Sequence, residues 1–87
     1  MRVKIRPIGK GLHPSEVVVE IQTIDGGERL VVDKQSIQGN SLSVGWPIAT
    51  KKSQYLVELP QETMSGTWRV WVRKSQIVPE GEQVAAE

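Results

Sequence analysis

The first strong pattern is an alternation of apolar and polar residues with a period of two. Val17-Val18-Val19-Glu20-Ile21-Gln22-Thr23 and Arg29-Leu30-Val31-Val32 are β-branched runs separated by Asp25-Gly26-Gly27, which predicts a hairpin. A turn on Gly26-Gly27 would set Glu20 opposite Asp33, a destabilising like-charge pair. The expected turn is therefore type I′ on Asp25-Gly26. One face then carries Val17, Val19, Ile21, Leu30 and Val32; the other carries Glu16, Val18, Glu20, Arg29, Val31 and Asp33. Residues 54–59 and 68–73 sort in the same way. Tyr55, Val57, Leu59, Trp68, Val70 and Val72 make an apolar face, and Gln54, Leu56, Glu58, Arg69, Trp71 and Arg73 make the opposite one. The apolar faces are the expected core, joined by Val3 and Ile5, with Arg2, Lys4 and Arg6 left outside. Trp46, before Pro47 at the end of a short strand over residues 42–44, is expected to anchor a loop in the core.

No window has a 3.6-residue apolar period of helical length. Residues 34–37 and 74–77 fit single 3₁₀ turns. Gln38-Gly39-Asn40-Ser41 and Thr50-Lys51-Lys52-Ser53 read as turns. Residues 79–87 offer little to bury and are expected to form a disordered tail.

The chain also matches itself at a spacing near forty. Arg29, Val32, Lys34 and Ile37 correspond to Arg69, Val72, Lys74 and Ile77, and Pro7-Ile8 corresponds to Pro47-Ile48. The segments 3–37 and 43–77 therefore read as two units of an internal repeat. Two amphipathic hairpins must cover each other's apolar faces. The expectation is one all-β domain over residues 1–78, a small barrel of five to six antiparallel strands.

Two resemblances sharpen this. Gln54-Tyr55-Leu56-Val57-Glu58-Leu59, a turn containing Gly66, Arg69-Val70-Trp71-Val72 and then a 3₁₀ segment resemble the second half of an SH3-like barrel. Gly27-Glu28-Arg29-Leu30, Val44-Gly45-Trp46, Tyr55-Leu56-Val57-Glu58 and Gly66-Thr67-Trp68-Arg69-Val70-Trp71 follow the order of segments in the plasmid-type dihydrofolate reductases, small SH3-like chains that form tetramers around one pore. That family carries Val-Gln-Ile-Tyr in its pore. Here Trp68, Arg69, Val70 and Trp71 hold the matching positions, so folate and nicotinamide binding is not expected.

Composition narrows the chemistry further. In 87 residues there is no cysteine and one histidine, His13, which removes thiol nucleophiles and multi-histidine metal sites within one chain. Gly9-Lys10-Gly11 lacks the spacing of a phosphate-binding loop. The expected protein is not an enzyme and uses no cofactor. No apolar run approaches a bilayer span, and Met1-Arg2-Val3-Lys4-Ile5-Arg6 lacks a signal peptide's apolar segment, so the expectation is cytoplasmic, without membrane contact. The net charge of +1 is arranged in blocks: residues 1–10 carry +4, residues 16–34 carry −3, residues 51–77 carry +3 and residues 80–87 carry −3. Trp71 between Arg69 and Arg73, with Arg2, Lys4 and Arg6 brought near it by the meeting of first and last strands that the SH3-like resemblance implies, is the candidate binding face for an anionic partner, nucleic acid or an acidic protein segment. The alternative is assembly, as a homo-oligomer or with another protein, through the outward apolar residues Val18, Val31, Leu56 and Trp71.

Overall fold

The computed structural model describes residues 1–78; the expected disordered tail, 79–87, lies outside the described residues. The described residues form ten strands. They are β1 (Arg2–Lys4), β2 (Arg6–Lys10), β3 (Glu16–Thr23), β4 (Gly26–Asp33), β5 (Ile37–Gln38), β6 (Ser41–Ser43), β7 (Ala49–Lys51), β8 (Gln54–Glu58), β9 (Arg69–Arg73) and β10 (Ile77–Val78). Single 3₁₀ turns, Lys34–Ser36 and Lys74–Gln76, link β4 to β5 and β9 to β10, as the sequence predicts. Among the described residues no helix is long and apolar enough to cross a membrane.

The strands form three antiparallel sheets, ordered β10-β1-β6-β5, β2-β3-β4 and β7-β8-β9. None closes into a barrel, which corrects the single barrel expected from the two hairpins. The strands that would carry a closed ladder are interrupted. Ile5 leaves the ladder between β1 and β2, and its N–H donates to the Asn40 carbonyl. The β2–β3 register then slips between Pro7 and Gly9. Between β6 and β7 the chain passes Gly45 and Pro47 outside any strand.

The β3–β4 turn differs from expectation by one position on each strand. Thr23 pairs with Gly26, so Ile24 and Asp25 make the turn. A β-branched isoleucine avoids positive φ, and the positive φ, 126°, falls on Gly26 instead. The Thr23 hydroxyl fixes the geometry, accepting from the Asp25 N–H at 3.1 Å and donating to the Gly26 carbonyl at 2.7 Å. The slip shifts each pairing by two, so the expected faces survive. Glu20 now lies opposite Arg29, and Glu16 opposite Asp33.

Among the described residues the core contains twelve buried apolar side chains. They fall into six pairs 38–40 apart: Val3/Leu42, Ile5/Val44, Val19/Val57, Ile21/Leu59, Leu30/Val70 and Val32/Val72. Val3 and Leu42 are opposite each other in the β1–β6 ladder at the centre. Backbone bonds recur in the same way. Lys34 N–H donates to Ser15 and Lys74 N–H to Ser53, while Ile5 N–H donates to Asn40 and Val44 N–H to Met1. The buried Thr23 and Thr63, 40 residues apart, each hold a turn with their hydroxyl.

Two core expectations fail. Trp68 is 51% exposed and Trp46 is 84% exposed. Trp68 precedes β9, beyond the point where inward side chains meet a partner sheet, although its carbonyl still accepts from the Leu59 N–H. Trp46 sits in the irregular segment between β6 and β7.

Candidate binding face

The outward surface of the β7-β8-β9 sheet is a grid set by its registers. Lys51, Gln54 and Arg73 form one row, Ala49, Leu56 and Trp71 the next, and Glu58 pairs with Arg69 beyond them. Alternation places these side chains together because their neighbours Tyr55, Val57, Val70 and Val72 turn inward. Leu56 and Trp71 are both half-buried at the centre. The Lys51 ammonium lies 4.5 Å from the centroid of the Trp71 ring, a cation–π contact. Arg69 Nε donates to Glu58 Oε2 at 3.2 Å, an exposed ion pair. Three cations and one carboxylate thus surround an apolar centre.

The β8–β9 register puts Arg69, Trp71 and Arg73 together on this outward surface. The sequence misses Lys51, because residues 50–53 read as a turn. The turn is narrower, Lys52 and Ser53, and Thr50 and Lys51 belong to β7. Residues 48–51 show no apolar–polar alternation, so nothing in the sequence marked the strand.

The other three candidates lie elsewhere. Arg2 turns back to its own fold, donating from Nε to Ser41 Oγ at 2.8 Å and from a terminal nitrogen to the carbonyls of Ser41 and Ser36 at 2.9 and 3.2 Å. Arg6 bonds Glu20 Oε1 at 2.6 Å, and Arg29 Nε lies 3.8 Å from the other oxygen. Lys4 is exposed and lines a shallow recess with Arg6, Glu20, Gln22 and Gln76. Gln76 crosses from the second 3₁₀ turn to donate to the Gln22 carbonyl at 2.7 Å. Val18 and Val31, opposite each other on β3 and β4, are half-buried on the outward face of the β2-β3-β4 sheet.

The recess beside Arg6 has a counterpart in the second half. A cleft of about 550 Å³ is lined by Ser43, Val44, Trp46, Ile48, Leu59 and Pro60. Glu58 also lines this cleft, so Trp46, Ile48 and Pro60 give it more apolar wall than its counterpart while a carboxylate stands at its edge. His13 lines a smaller hollow with Lys10, Leu12 and Lys34. Among the described residues there is no group of three or more His, Cys, Asp or Glu side chains placed to hold a metal ion. Compared with protein-family models, curated proteins and solved structures, the chain matches none.

Proposed function

We propose that this protein is a small interaction module that binds an acidic protein surface through the outward face of β7, β8 and β9. One observation carries the reading: Leu56 and Trp71 form an apolar centre ringed by Lys51, Arg69 and Arg73, with Glu58 as the single acid. Arginine presents paired donors to carboxylates, and a partly desolvated aromatic beside them adds contact area. A single-stranded nucleic acid fits less well. Base stacking needs a free ring face, whereas Trp71 is half-buried and carries Lys51 against its ring. The sequence pI of about 8.1 is below the range of dedicated nucleic-acid domains.

The same reading includes the internal repeat. Six paired core positions, paired turn threonines and the order hairpin, 3₁₀ turn, short strand in each half support two copies of one three-strand unit fused in one chain. The binding face belongs to the second copy.

The test is a titration of the parent and of Lys51→Glu/Arg73→Glu with a glutamate-rich peptide at low and high salt, followed by calorimetry. The parent should bind the peptide more weakly as salt rises, and the variant should lose binding. Equal binding by parent and variant, or tight binding of an oligothymidylate and none of the peptide, overturns the reading.

A further inference from the structure

The two halves present outward faces built on one plan with different charge. On β3 and β4 the opposed pairs are Glu16/Asp33, Val18/Val31 and Glu20/Arg29. On β8 and β9 they are Gln54/Arg73, Leu56/Trp71 and Glu58/Arg69. The middle pair is apolar in both. One end holds a glutamate facing an arginine in both, at 3.8 Å for Glu20–Arg29 and 3.2 Å for Glu58–Arg69, and in the first half Arg6 adds a second arginine on Glu20 at 2.6 Å. The opposite end differs. It holds two carboxylates in the first half and Arg73, with Lys51 in the same row, in the second.

Glu16 and Asp33 face each other directly, an arrangement that lowers the stability of an isolated hairpin. Each has one oxygen held by the backbone: Glu16 Oε1 by the His13 N–H at 3.2 Å, Asp33 Oδ1 by the Gln35 N–H at 2.9 Å. Neither forms an ion pair among the described residues, and neither do Lys51 and Arg73. Two unpaired acids beside an apolar pair on one face match two unpaired bases beside an apolar pair on the other.

We infer that the acidic surface bound by the β7–β9 face is the β3–β4 face of a second copy of this chain. The inference rests on the proposed acidic-partner reading and names its partner. Val18 and Val31 of one molecule meet Leu56 and Trp71 of the next, and Glu16 and Asp33 meet Lys51 and Arg73. The contact joins two different surfaces, so each added molecule leaves one face of each kind free, and assembly runs on into a chain or a ring. From strand spacing and rise, each face offers on the order of 300 Å². That is well below a stable interface, so association belongs to the weak, salt-sensitive class.

Sedimentation velocity from low to high micromolar protein, at low and high salt, tests this with two variants. Glu16→Gln/Asp33→Asn removes the acids while keeping both backbone-bonded oxygens, and Lys51→Gln/Arg73→Gln removes the bases. The parent should grow beyond dimers with concentration and revert at high salt. Each variant alone should associate roughly ten-fold more weakly. Their equimolar mixture should form one-to-one pairs and stop there, because it retains one compatible contact. Amide spectra of each variant confirm that it is folded. A parent that stays monomeric throughout, variants that assemble like the parent, or a mixture without pairs overturns the inference. If the parent is monomeric yet a glutamate-rich peptide still binds the β7–β9 face, self-association falls and the acidic-partner reading stands. If the peptide also fails, both fall.

Discussion

Trp71 and Trp68 are three residues apart and differ in surroundings in a way that strand parity alone does not capture. Parity sends Trp71 outward and Trp68 inward, and the β8–β9 register agrees with the outward placement of Trp71. Yet Trp71 is half-buried beside Leu56 and Lys51, while Trp68 is 51% exposed. Inward means buried only where another sheet lies opposite, and the chain carries no local signal for where that cover ends. Trp46 illustrates the same limit. A tryptophan before proline looks like an anchor, but the irregular segment that holds it leaves it 84% exposed. The stability consequences reverse the order that parity suggests. Trp71→Ala should cost about 1–3 kcal/mol, below a fully buried aromatic truncation, and Trp68→Ala less than about 1 kcal/mol. Urea midpoints at unchanged slope measure both. A larger loss at Trp68 than at Trp71 would show that the inward face extends further than described.

At the scale of strands and turns, β1 decides which basic residues are free. Its residues alternate as expected, with Val3 buried and Lys4 exposed. Arg2, however, sits opposite Ser43 in the β1–β6 ladder, where Ser41 and the first 3₁₀ turn supply three acceptors. That long-range pairing is not visible in the sequence around Arg2. Arg2→Ala should therefore lower stability by about 1–3 kcal/mol, since it strips charged donors from part-buried oxygens, and leave affinity for an acidic peptide unchanged. Loss of affinity at unchanged stability would return Arg2 to the binding face. The β3–β4 turn shows the converse case. Asp25-Gly26-Gly27 announces a hairpin but permits several registers, and the Thr23 hydroxyl and the Glu20–Arg29 pairing accompany the one adopted. The faces were legible because every register under consideration differed by an even shift.

For the whole molecule, the all-β class and the faces of the two main hairpins follow from alternation, whereas the three-sheet arrangement depends on where β1 and β6 meet. Both are three residues long, and neither stands out in the sequence. Their pairing places β5 and β10 at the two ends of one sheet. It also brings the start of the described chain beside its end, with Arg2 opposite Val78. In the first half the equivalent strands, β5 and β6, are joined directly through Gly39 and Asn40. A circular permutant that opens between Gly39 and Asn40, and joins Val78 to Met1 through a short flexible linker, should fold with the same strand pairings, because it exchanges one two-strand connection for its counterpart. Nuclear Overhauser contacts between Val3 and Leu42 in the permutant check this; a permutant that does not fold contradicts the fused-unit reading.

The location of the binding face is tested most directly by backbone amide shifts of the parent, recorded while a glutamate-rich peptide is added at low salt. The account predicts that shifts concentrate on residues 49–51, 54–58 and 69–73, with the Trp71 indole N–H moving and the amides of Arg2, Lys4 and Arg6 staying still. Shifts centred on the β1 and β2 residues, or on the cleft beside Trp46, with β7, β8 and β9 unmoved, would contradict it.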